Sequence, residues 1–251
     1  MTRENTGRRA AWLCCLAVLA CTAGGQDNTA ATVNSANQYV VGIDISGSRT
    51  SSQLQEEQAV VEGLMSRMTF GDRIILVETY RTGIDSAGQW QDSIPARRFT
   101  GDLRARERAD LEEFHSTAPR VAATFFDAEK SKRVMSTDLF RTLWRAADYA
   151  KSANGRRTTL VLLSDMLQST SEVNMEVAGG VPANSWIEER KAEGRLPDLG
   201  GVCVFVVGAD PSSRQGAKVR GFWQKYFAAA GAQFPSGSYR NMVSDVSEVH
   251  C

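Results

Sequence analysis

Histidine is nearly absent from this chain: His115 and His250 are the only two in 251 residues. Neither stands in a pattern that suits a Ser-His-Asp triad or an imidazole-ligated metal. No apolar run approaches the ~20 residues that a membrane-crossing helix needs. An excess of charge of one sign is missing too. Lys+Arg and Asp+Glu are 29 each, so no net field draws nucleic acid or an acidic membrane surface. The five cysteines include no Cys-x-x-Cys pair and form no disulfide framework. Three of them, Cys14, Cys15 and Cys21, lie near the N-terminus. Cys203 sits in an apolar strand and reads as a core residue. A bond between Cys203 and Cys251 is possible in an oxidising compartment, but nothing in the sequence demands it. No Walker loop is present.

What is present is an ordinary globular balance, 42% hydrophobic and 23% charged. The length allows one α/β domain of roughly 200 residues with a full core. Residues 1–21 read as a secretory signal, with an N-terminal anchor helix as the alternative reading. Arg3, Arg8 and Arg9 give a basic start, and Ala11 to Ala20 is an apolar stretch too short to cross a bilayer. Val18-Leu19-Ala20-Cys21 resembles a bacterial lipobox, which implies cleavage before Cys21 and a lipid on that cysteine. Residues 22–38 are small and polar without periodicity and read as a flexible tether, spanning roughly 20–25 Å. Residues 39–251 then form the domain.

Within that domain, strand and helix patterns alternate. Apolar β-branched runs at 39–44, 74–77, 159–163 and 202–207 read as buried strands. Residues 89–98 offer a short edge strand limited by Pro95. Helical spacing runs over 53–68, over 103–130 with a break expected near Pro119, from Thr137 onward, over 185–193, and along Val219 to Ala230. The tail could add one edge strand. Such alternation predicts a Rossmann-like, doubly wound α/β fold, with a mainly parallel sheet covered on both faces. Trp90, Trp144, Trp186 and Trp223 read as packing residues rather than a stacking platform.

The stretch Val40-Val41-Gly42-Ile43-Asp44-Ile45-Ser46-Gly47-Ser48 carries the chemistry. An apolar strand ends on a carboxylate, and two hydroxyls follow at alternate positions. In open α/β sheets, ligands bind beyond the carboxyl ends of the strands. One carboxylate with two hydroxyls is a hard-oxygen set of low charge, suited to Mg²⁺ or Mn²⁺.

This nonapeptide resembles the first element of the metal-ion-dependent adhesion site of von Willebrand factor A domains, Asp-x-Ser-x-Ser. Ser136-Thr137-Asp138-Leu139 before a helix is similar to that family's threonine segment. Leu160 to Asp165 is similar to its fourth strand, ending on the second carboxylate. The resemblance covers roughly residues 39–230. It implies a metal site of Asp44, Ser46, Ser48, Thr137 and Asp165, with the serines binding directly and the aspartates largely through water. It also implies an unfilled position on the metal for an Asp or Glu from a protein partner. Ser136 and Met166 depart from the glycines that the family often has there. Residues 168–186 form a longer polar loop, readable either as a partner-selecting surface or as a loose surface loop.

Other readings stay open. Ser46, Ser48 and Thr137 could be ordinary helix caps. Gly42-Ile43-Asp44 also resembles the phosphate loop of the actin and sugar-kinase superfamily, which wants a glycine in place of Ser46 and a hairpin after it. The expectation is therefore an exported, lipid-anchored protein of the bacterial cell envelope. It binds Mg²⁺ or Mn²⁺ and a protein partner, touches the membrane only through its lipid, has no nucleic-acid partner and catalyses nothing. The alternatives are a Mg²⁺-dependent phosphotransferase or phosphatase using Asp44, and a structural envelope protein with a vestigial metal site.

Overall fold

The computed structural model describes residues 36–47, 49–79, 89–95, 104–130 and 136–251. Cys21, the leader, nearly all of the tether segment and Ser48 lie outside the described residues.

Strand β1 (Asn37–Ile43) begins two residues inside the segment read as tether, because Gln38 is buried and its amide bonds the Tyr149 carbonyl and the Thr158 hydroxyl. Helix α1 (Ser51–Arg67) follows, then β2 (Arg73–Glu78), β3 (Gln89–Ser93) and α2 (Arg104–Lys130). Next come α3 (Leu139–Lys151), β4 (Arg157–Leu163), α4 (Asn184–Ala192), β5 (Cys203–Val207), α5 (Arg214–Ala229) and β6 (Tyr239–Arg240). The sheet order is β3-β2-β1-β4-β5-β6, with β3 the antiparallel edge and every other pairing parallel. The fold is Rossmann-like α/β. The chain winds outward from β1 in one direction and from β4 in the other, so the topological switch point lies between these two neighbours.

Strand alternation divides the core. Val40, Leu160, Leu162, Val204 and Val206 point to the side covered by α3, α4 and α5. Val41, Ile43, Val161, Leu163 and Phe205 point to the side covered by α1 and α2. Gly42 lies on the α3 side, where an added Cβ would meet the Thr142 methyl at 2.9 Å. The missing side chain lets the first turns of α3 lie directly on β1, which brings the residues just before α3 over the tip of that strand.

Helix α2 runs through Pro119 without the expected break. Proline removes one intrahelical bond and leaves the His115 carbonyl unmet by it. Phe114, Ala118, Ala122 and Phe126, spaced by four, are all buried beside α1 residues and hold the helix together across the gap. No helix among the described residues is long and apolar enough to cross a membrane. Cys203 and Cys251 form a disulfide with Cα atoms 5.7 Å apart, which fixes the C-terminal residue to β5.

Candidate metal centre

Asp44 follows β1 directly, and its backbone N–H bonds the Leu163 carbonyl at the end of β4. Its side chain is folded inward, and only 1% of the residue is exposed. The carboxylate Oδ1 accepts from the Ser46 N–H at 3.0 Å and from the Thr137 hydroxyl at 3.2 Å. Oδ2 accepts from the Ser164 hydroxyl at 2.7 Å. The bond from Ser46 closes a turn two residues long, which Asx side chains favour after a strand.

Thr137 reaches Asp44 because two tethers hold its segment. The Asp138 N–H bonds the Thr79 carbonyl just past β2, and Thr79 itself donates through its N–H and hydroxyl to the Ile43 carbonyl. Thr137 is not the cap of α3; Asp138 caps it, accepting from the Arg141 N–H. Thr50, not Ser46, caps α1, in a reciprocal box with Gln53. The cap readings for Ser46 and Thr137 are therefore replaced by bonds to Asp44.

Asp165 is half-buried one residue past Ser164, and its Oδ1 accepts from the Leu167 N–H at 2.9 Å. Burial pushes the Asp44 carboxyl above its usual range, and the Asp165 charge pushes the same way. Hydrogen bonds from Ser164 and Ser46 pull it back. Two repelling carboxylates ringed by hydroxyls are a donor set that a hard divalent cation fits. Among the described residues no group of three His, Cys, Asp or Glu side chains could hold a metal ion. Two carboxylates completed by neutral hydroxyls fall outside that description. Four of the five expected residues, Asp44, Ser46, Thr137 and Asp165, thus meet at the β1/β4 edge.

Met166 stands at φ +66°, a conformation natural to glycine and costly for a long side chain. Three contacts hold it there. Its N–H bonds the Ser164 hydroxyl, its carbonyl accepts from the Trp223 indole, and its side chain is fully buried. The backbone thus keeps the turn that glycine gives elsewhere. The loop beyond it is not loose. Gln168, Ser169, Val173 and Met175 are buried. Gln168 accepts from the Leu139 N–H at 2.7 Å and donates to Asp138, so it ties this loop to the α3 start. Of the two readings of residues 168–186, the loose surface loop is excluded for the stretch up to Met175.

Sequence reasoning missed Arg49. Its side chain is 1% exposed, pairs with the 2% exposed Glu57 of α1, and donates to the Gly208 carbonyl at the end of β5. Gly208 has φ +100°, and an added Cβ would lie 2.4 Å from the guanidinium. Burial works against the Arg49 charge, while Asp165, Asp44 and Glu56 sustain it. A fixed cation therefore lies within electrostatic reach of both carboxylates. Ser164 and Gln168 were also missed as contributors; both look like ordinary polar residues at a strand end.

No protein-family model matches the chain, and no curated protein does. Among solved structures, it is similar to the human COPII-coat protein Sec24c at 12% identity, covering 85% of this chain and 30% of that one, with a TM-score of 0.38. It is also similar to proximal thread matrix protein 1 from the mussel byssus, at 12% identity, covering 85% and 44%, with a TM-score of 0.39. The chain spans less than half the length of either. These likenesses carry no argument about what it binds.

Proposed function

We propose that this chain is a von Willebrand factor A-type domain that binds Mg²⁺ or Mn²⁺ at Asp44, Ser46, Ser48, Thr137 and Asp165 and docks a partner's carboxylate there. The observation that carries the reading is the buried Asp44 carboxylate, held by Ser46, Thr137 and Ser164 and opposed by Asp165. When bound, the cation supplies a Lewis-acidic position for an outside Asp or Glu. The chain's own residues orient the hydroxyls and hold the Asp44 and Asp165 carboxyl groups side by side at the strand tips. Export and lipid attachment at Cys21 rest on the leader pattern. The Cys203–Cys251 bond agrees with them, since such bonds persist in oxidising compartments. The role is binding rather than catalysis. Asp44 suits a nucleophile poorly, because both its oxygens accept hydrogen bonds and almost none of it meets solvent.

A second reading draws on Arg49. A buried guanidinium that senses both carboxylates could serve as a built-in counter-ion, leaving the site metal-free and structural.

Calorimetry of the full chain with Mg²⁺ and Mn²⁺ separates the two. Saturable binding, lost in Asp44→Asn and Ser46→Ala variants that keep their circular dichroism, supports the metal reading. Absence of binding by the wild type, or equal binding by the variants, refutes it.

A further inference from the structure

The metal edge lies at one pole of the sheet, and the chain enters the domain at the other. Three arginines crowd that entry. In register, Arg73 of β2 stands beside Gln38 on one side of β1, and Arg157 of β4 stands beside Asn37 on the other. The Arg157 N–H bonds the Ala36 carbonyl at 2.9 Å, just before β1 begins. Arg156 reaches from the β4 side to the turn before β2, where its Nε donates to the Gly71 carbonyl at 2.6 Å. The groups that fix these side chains are neutral. Arg73 donates to the side-chain oxygens of Gln38 and Gln91, and Arg156 donates to the Gly71 and Ala153 carbonyls. Among the described residues none of the three arginines pairs with a carboxylate. Neutral acceptors position a guanidinium without cancelling its charge.

The nearby carboxylates are committed elsewhere or lie further out. Asp72 is buried and accepts from the Asn37 and Thr69 N–H groups. Asp148 pairs with Lys151, and Asp245 with Arg67, both on the surface. Asp92 on the edge strand β3 and Asp198 before β5 are exposed acids to either side. The pole at the entry is thus locally cationic, which the even total charge of the chain hides. Guanidinium forks match the geometry of phosphate oxygens. Position decides which phosphates. On the export-and-lipid reading proposed above, on which this inference rests, residues 22–35 separate the lipid on Cys21 from this pole by roughly 20 Å. The tether then brings the arginines to the membrane before any other part of the domain, at a high effective concentration of headgroups. We propose that the pole formed by Arg73, Arg156 and Arg157 docks on the phosphates of anionic phospholipid headgroups, with the metal edge facing away from the membrane. Contact with the membrane is then made by the domain as well as by the lipid, a departure from what net charge alone suggests.

The test is co-sedimentation with vesicles of equal parts phosphatidylglycerol and phosphatidylcholine, or of phosphatidylcholine alone, with chelator present. Both halves of the core lie within residues 36–251, so the chain from Thr22 carries the whole fold without the leader or Cys21. Its binding reports on the arginines, whereas membrane release of Cys21→Ser reports on lipid attachment, so the two readings fail separately. The chain from Thr22 is expected to bind the phosphatidylglycerol vesicles at millimolar lipid and low salt, and to lose that binding severalfold as salt rises. A basic residue at an anionic surface contributes about fivefold. Arg157→Gln, at an exposed position, is expected to weaken binding by that factor, and Arg73→Gln/Arg157→Gln about tenfold or more. Arg214→Gln removes the same charge at the metal end of the sheet, where α5 begins, and is expected to change nothing. Equal binding to both kinds of vesicle, or none to either, overturns the proposal. So do equal losses from Arg157→Gln and Arg214→Gln. So does binding of oligothymidylate that falls in Arg73→Gln/Arg157→Gln while the vesicles stay unbound.

Discussion

The Arg49–Glu57 pair permits a quantitative test of how the loop after β1 is held. Both side chains are at most 2% exposed. Arg49 has further support from the Gly208 carbonyl and from the field of Asp165 and Asp44. The Glu57 carboxylate oxygens have no hydrogen-bond partner beyond the ion pair itself. The pair is therefore asymmetric. Arg49→Met strands a buried carboxylate and should cost about 3–5 kcal/mol. Glu57→Leu leaves the cation its carbonyl and its acidic neighbours, and should cost less, about 1–3 kcal/mol. The double variant Arg49→Met/Glu57→Leu removes both charges and fills the space with apolar atoms, so it should lie within about 1 kcal/mol of wild type. For a domain of this size the first loss corresponds to a fall of ~10 °C in melting temperature. The assay is urea unfolding of all four proteins with chelator present, which keeps any metal contribution out of the cycle. An Arg49→Met cost below about 1 kcal/mol, or a double variant as unstable as the sum of the singles, would refute the reasoning.

Four more outcomes are expected. Without metal, stability should fall as pH rises from the ordinary carboxylate value of 3.8 through the raised folded-state value of Asp44, since the folded chain holds that proton more tightly. Asp44→Asn should flatten this slope and stabilise the metal-free protein at neutral pH, and thermal melts across pH check both. Reducing the Cys203–Cys251 bond, which closes a separation of 48 residues, should cost up to about 4 kcal/mol in urea unfolding. Asp165→Ala should abolish chelator-sensitive partner binding in pull-downs while costing about 1 kcal/mol or less, because Asp165 is only half-buried at a strand tip. Cys21→Ser should release the protein from the membrane fraction, and retention after an alkaline wash would contradict lipid attachment.

Much of the fold was legible because it depends on local pattern. The β-branched runs and the periodic helices follow from residue order, while the pairing of β1 with β4 came from the structure. Asp44, Thr137 and Asp165 could be picked out because each sits at the end of a recognisable element. The remainder depended on contacts between distant parts of the chain. Arg49 reads as a solvated loop residue until Gly208, 159 residues away, makes room for its guanidinium. Pro119 should break a solitary helix, but packing against α1 overrides the lost bond. Gln168 looks like the start of a polar loop, yet its amide is buried between Asp138 and the first turn of α3. The pairing of Cys203 with Cys251 depended on where the tail returns, which no local signal fixes.

The placement of β1 also has a mechanical meaning. The strand is central, paired in parallel register along its length with β2 on one side and β4 on the other. The chain enters it at Asn37, while Asp44 follows its far end after a strand of 7 residues, about 20 Å in all. A pull between whatever precedes Asn37 and a partner held at Asp44 therefore runs along the strand axis. Such a load shears both ladders together rather than peeling their bonds one at a time. On the proposed reading, an anchor before Asn37 and a partner at Asp44 would load the element best placed to resist tension.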